Sequence, residues 1–226
     1  MFLIGFWVLA GFVPPPSPSR TAVQVVEFYR ADPVRIRLGL TVAAFGGTLI
    51  GPFFAGLSVQ LKRIEGRHSP ATYAQLGLGS LMVLEFVFPL FVFLAAAYRP
   101  ATHSPDLILF ANDLGWLSFI GIVSSIVVQC IIIGLTILRD GSERPVFPRW
   151  VGYYNLWVAI AYCPSALVVF FKHGPLAWNG IFAWWLLAVA FFSWIMVLTW
   201  NLFRAIRQLE VSTVGPARGR HPQSAT

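Results

Sequence analysis

The sequence predicts an all-α fold, a polytopic bundle of about six transmembrane helices, and three observations carry that reading. Of 226 residues, 57% are hydrophobic and only 11% charged, with a mean hydropathy of +0.72; soluble domains hold about 25% charged residues. The apolar residues come in long runs instead of amphipathic stripes, which favours lipid over a packed soluble core. A bilayer core about 30 Å thick needs about 20 such residues in a helix, and five runs reach that length. These are Leu38–Leu61, Ala74–Tyr98, Leu117–Leu138, Val151–Phe171 and Ile181–Phe203, each bounded by charge, Pro or Gly.

An earlier run, Phe2–Val13, is short, about 18 Å on the helical rise. It has no basic segment before it and no small-x-small cleavage site, so it reads as a short or clipped first span, not a signal peptide. The stiff Pro14-Pro15-Pro16-Ser17-Pro18 follows. Thr21-Ala22-Val23-Gln24 then has capping-box form and predicts a short helix with Ala22, Val25, Val26 and Tyr29 on one face. Ser104-Pro105-Asp106 predicts another, with Leu107, Phe110 and Leu114 on its apolar face. Both are expected to lie on the outer surface as amphipathic loop helices. Residues 1–210 thus form one transmembrane domain, and 211–226 a disordered cytoplasmic tail.

The net charge of +7 is distributed as topology, not as a nucleic-acid surface. Lys62, Arg63, Arg67, Arg139, Arg144, Arg149, Arg204, Arg207, Arg218 and Arg220 fall on one side. Arg20, Arg30, Arg35, Arg37, Arg99 and Lys172 fall on the other. Ten against six puts both termini in the cytoplasm. Nucleic acid is not an expected partner.

Glu85 is the carboxylate deep inside a span, where an ionisable group marks a functional site by default. If Tyr98 and Leu117 both mark the outer surface, Gln129 reaches a similar depth. A protonated Glu85 bonded to Gln129 then forms a clasp between two helices, the polar end of a ligand site, or a proton site. Pro52, Pro89 and Pro164 stand at mid-span as expected helix breaks. Ala43, Gly47, Gly51 and Ala55 recur every four residues as a packing face, for another span or a second copy.

The remaining chemistry is sparse. His68, His103, His173 and His221 fall in loops or the tail without ligand spacing, so no metal and no cofactor is expected. Cys130 and Cys163 lie in apolar runs and are expected unpaired. Trp116, Trp150 and Trp178 at span ends suit an interfacial belt, while Trp184, Trp185, Trp194 and Trp200 run along the last span. No catalytic motif is present.

Three stretches resemble an uncharacterised group of bacterial multi-pass inner-membrane proteins. They are Gly11–Pro18; Val146-Phe147-Pro148-Arg149-Trp150 with Gly152-Tyr153 and Asn155-Leu156-Trp157; and Gly174-Pro175 before Trp178-Asn179-Gly180. The resemblance implies the bacterial cytoplasmic membrane and transfers no activity. The expected function is a non-catalytic binding or structural subunit in the bilayer, contacting a membrane protein partner or a hydrophobic small molecule. A small-molecule or proton-coupled transporter using Glu85 is the alternative, and a membrane enzyme comes third.

Overall fold

The computed structural model of the chain describes residues 1–214, which contain helices and no strand. A π-helical segment, Ile4–Leu9, comes first and turns at Gly11, whose φ of 72° suits a residue without a side chain. Helix α1 (Ala22–Ala31) is opened by the Thr21–Gln24 capping box, each side chain accepting from the other's backbone N–H. The Asp32 side chain accepts from Arg35 N at 3.0 Å and starts α2 (Pro33–Thr48). Next are α3 (Ile50–Glu65), α4 (Pro70–Tyr98), α5 (Pro105–Gly121), α6 (Ser124–Leu138) and α7 (Arg149–Tyr162). A 3-10 segment, Cys163–Val169, and a π-helical segment, Ile181–Trp185, lead into α8 (Leu186–Val214). Helix α8 therefore runs into the first residues of the expected tail, and the rest of 211–226 lies outside the described residues.

Among the described residues, four helical stretches are long and apolar enough to cross a membrane: Pro33–Glu65, Pro70–Tyr98, Pro105–Leu138 and Ile181–Glu210. The chain is membrane-embedded and all-helical. The two other expected spans fall short of that length, for local reasons. The run Phe2–Val13 packs antiparallel along α2, with Ala10 beside Gly39 and Phe2 beside Gly46. The run Val151–Phe171 is a 14-residue helix that tightens into 3-10 turns at Cys163. Pro164 has no N–H for the carbonyl four residues back, and its ring crowds that carbonyl, so the α-helix stops.

The third stretch corrects the expected loop helix. Ser104 caps as anticipated, accepting from Leu107 N at 3.4 Å. Beyond the cap, α5 is the first half of an apolar span, interrupted only at Ile122-Val123. Leu107, Phe110 and Leu114 are exposed, whereas Asn112, Gly115 and Trp116 are buried. Apolar residues outside and polar ones inside is the arrangement a lipid solvent selects. This is the most enclosed of the four stretches, with 56% of its most apolar window buried against 28%, 33% and 28% elsewhere.

Two aromatic-rich cores form around it. One gathers Phe6, Phe12, Tyr29, Phe93, Trp116 and Trp178; the other gathers Phe54, Leu57, Tyr162 and Trp194. Trp116 is therefore a core residue and not a member of an interfacial belt, because α5 begins three turns before it, while Trp178, just ahead of the last stretch, is also buried. Trp150 and Trp200 are exposed.

Carboxylates fix two of the connections. Glu65 accepts from Ala71 N at 3.1 Å, Thr72 N at 2.7 Å and the Thr72 hydroxyl at 2.5 Å. It thereby occupies the electropositive start of α4 from the end of α3. Between α6 and α7, Asp140 accepts from the Ser142 hydroxyl at 2.6 Å, Ser142 N at 3.1 Å and Val146 N at 2.9 Å. Partial burial pushes the Asp140 carboxyl up, but these bonds and nearby Arg63 outweigh it, leaving it below the usual carboxylate range. A depressed native pKa means stabilisation that is full above the unfolded value, about 3.9, and is lost as pH falls through the native value. The difference in melting temperature between wild type and Asp140→Ala should therefore be largest near neutrality and shrink below about pH 4. A difference constant down to that range would contradict the account.

Candidate functional site

Glu85 stands at the middle of the 29-residue α4. Its Oε2 accepts from the Ser125 hydroxyl at 2.6 Å. Ser125 is buried in the first turn of α6, directly after the Ile122-Val123 break. Beside this pair opens a cavity of about 770 Å³, part of it continuous with the exterior.

Separated pieces of the chain build its wall. The N-terminal segment supplies Phe2 and Phe6, α4 supplies Glu85 and Phe86, and the α5–α6 break supplies Phe119, Ile122 and Val123. Tyr162 closes the end of α7, while Trp184, Ala188 and Phe191 come from the last helical stretch. The rings support one another: Phe2 meets Phe86 edge-on at 5.3 Å, Phe86 lies 5.1 Å from Phe191, and Phe6 lies 5.2 Å from Phe119. Leu3, Ile122 and Phe192 line the cavity while staying exposed on the bundle, so they mark its mouth.

Three side chains bring hydrogen-bonding groups to this wall: Glu85, Tyr162 and Trp184. Tyr162 Oη and Trp184 Nε1 are fully buried and have no partner within the protein. No Lys, Arg or His belongs to the lining.

Gln129 is not joined to Glu85. Its Nε2 donates to the Gln75 carbonyl at 3.4 Å, and the Gln75 side chain in turn accepts from the Ser58 hydroxyl. The alignment took Leu117 as the outer end of its helix, whereas that helix starts at Pro105. The level of Glu85 is met by Ser125, one turn before Gln129.

The prolines have separate effects. Helix α2 ends at Thr48, the residue whose carbonyl Pro52 cannot bond. Helix α4 continues through Pro89, which leaves the Glu85 carbonyl without its helical donor. Pro164 lies in the 3-10 segment that ends α7. Of the four small residues, Gly47 and Gly51 both face α4 across the break at Leu49. Ala43 is buried against Gly5, while a Cβ on Gly47 would lie 3.2 Å from Phe86 and one on Gly51 3.7 Å from Val83. Ala55 is exposed.

Elsewhere, Tyr29 Oη donates to Asn112 Oδ1 at 3.2 Å and Asn112 Nδ2 to Asp113 Oδ1 at 3.3 Å. Burial, helped by Asp113, pushes the Tyr29 phenol far up, so it stays a donor. A smaller hollow of about 370 Å³ lies between Asp113, Lys172 and Trp178. His173 meets the Ser19 hydroxyl at 3.1 Å, and His221 lies outside the described residues. Among the described residues, no group of three or more His, Cys, Asp and Glu could hold a metal ion. Cys130 and Cys163 are free, the first buried and the second exposed.

Sequence reasoning singled out Glu85 but missed Ser125, Tyr162 and the hydrogen-bonding role of Trp184. The signals were faint: a Ser124-Ser125 pair after Gly121, and a tyrosine two residues before Pro164. No protein-family model, curated protein or solved structure matches the chain.

Proposed function

We propose that this chain is a non-catalytic binding subunit of the bacterial cytoplasmic membrane that holds an apolar small molecule at mid-membrane depth. The cavity beside Glu85 carries this reading: aromatic walls, few polar groups and a mouth of exposed apolar residues suit a ligand arriving from lipid. In this reading the N-terminal segment and α7 with its 3-10 extension complete about six crossings, and both termini are cytoplasmic. A reporter fused at the C-terminus should then report cytoplasm, and an external signal would reverse the orientation.

A photoactivatable alkyl diazirine in native-lipid nanodiscs should label Phe86 and Phe191 peptides saturably. Ala188→Phe places a ring in the cavity and should lower that labelling about tenfold, the loss of about 1.4 kcal/mol of binding. Equal labelling of both proteins would remove the binding reading. Glu85 favours a second one, a proton-coupled carrier, because a carboxyl at that depth is costly to keep without use. That reading requires proton-gradient-driven uptake into vesicles to vanish in Glu85→Gln.

A further inference from the structure

We propose that the cavity's occupant is a neutral, planar, carbonyl-bearing molecule with an apolar tail, a compound of the quinone class. The inference rests on the apolar-binding reading above and adds the chemistry of the headgroup.

Two observations specify that headgroup. Tyr162 Oη and Trp184 Nε1 are both buried in the cavity wall without a partner. An indole N–H can only donate, and a phenol donates readily. A buried donor left unpaired costs about 1–3 kcal/mol, so two such groups on one cavity are matched by a ligand that presents acceptor oxygens. Carbonyl oxygens on a flat ring supply them, and the rings of Phe6, Phe86, Phe119 and Phe191 supply faces and edges to pack against it.

Charge narrows the choice further. The lining holds no Lys, Arg or His, so a phosphate or carboxylate head would enter without a counter-charge. A hydrophobic cation is the rival, since aromatic walls and one carboxyl attract cations. Against it, the Glu85 carboxylate already accepts from Ser125 at 2.6 Å, and both unpartnered groups present hydrogens that repel positive charge. The neutral acceptor pairs with both unpartnered donors of the wall and leaves Glu85 to Ser125; the cation pairs with neither donor.

The test compares three probes in nanodiscs holding the full chain: a decyl naphthoquinone, a decyl naphthalene of the same shape, and a decyl triphenylphosphonium. The quinone should bind saturably and about tenfold or more tightly than the naphthalene, because a site built for a polar group rejects the analogue lacking it. Trp184→Phe and Tyr162→Phe should each weaken the quinone about five- to tenfold, the scale of one hydrogen bond, and leave the naphthalene unchanged. The naphthalene therefore also reports whether each variant keeps an intact cavity, and the wild-type comparison stands if a variant does not fold. Equal binding of quinone and naphthalene overturns the carbonyl assignment while leaving the apolar-binding reading standing. Tightest binding by the phosphonium, lost in Glu85→Gln, overturns it in favour of a cation. Saturable binding by none of the three overturns both.

Discussion

Gly39→Val should dislodge the N-terminal segment from the bundle. A Cβ at Gly39 would lie 2.5 Å from Ala10 N, 2.6 Å from Gly5 O and 2.9 Å from Ala10 Cβ. From the other side, a Cβ at Gly5 would lie 2.4 Å from Gly39 O and 2.5 Å from Ala43 N. These are mostly backbone atoms, which cannot swing aside as a side-chain tip can. Overpacking costs about 1–3 kcal/mol where neighbours can shift, so the variant should lose about 3 kcal/mol. The segment also carries Phe6 and Phe12 into the Trp116 core and Phe2 into the cavity wall. Gly39→Val should therefore melt lower and also fail to retain a cavity ligand. Gly77→Ala is the control: nothing lies within 4 Å of its added carbon, so it should be neutral or gain the helix propensity of alanine. A Gly39→Val protein that melts with wild type would show that the segment does not pack as described.

The second large effect is expected at Trp194. Its indole is fully enclosed and Nε1 donates to Asn155 Oδ1 at 2.7 Å, while Asn155 Nδ2 donates to the Val151 carbonyl at 2.7 Å. Phe53 and Phe54 pack around the ring at 6.4 and 6.2 Å. Through this side chain α8 holds both α7 and α3. Trp194→Ala should cost about 3–5 kcal/mol, as large-to-small changes at closed aromatic sites do. Asn155→Leu, which strands the indole N–H, should cost about 1–3 kcal/mol. Combining Asn155→Leu with Trp194→Phe should cost less than the sum, with a coupling of up to about 1.7 kcal/mol. Strict additivity in that cycle would mean the hydrogen bond contributes nothing.

Local signals were legible and depth was not. The capping box at Thr21 and the cap at Ser104 act through neighbours three residues away, so spacing alone reveals them. The apolar runs gave the four long helices because lipid selects composition directly. Register between helices has no such signature. The helix that Ser104 caps is expected on the outer surface, yet its Asn112 is buried and accepts from Tyr29, on a helix more than eighty residues earlier. Misplacing that surface slid Gln129 up to the level of Glu85 and hid Ser125. The cavity is less legible still. Phe2, Glu85, Tyr162 and Trp184 meet only once the segments between them are packed.

The indole cluster has an optical consequence. Trp116 lies 6.4 Å from Trp178 with planes 18° apart, and 5.9 Å from Trp184 at 80°. Rings this close couple their electronic transitions, and fixed angles between them give the near-ultraviolet circular dichroism a sign and intensity that freely rotating rings average away. Trp178 is also held by its Nε1 bond to the Pro16 carbonyl at 2.7 Å, which ties the dichroic pair to the proline-rich turn. The protein thus carries a built-in chiral chromophore that reports, without any label, whether that turn is docked.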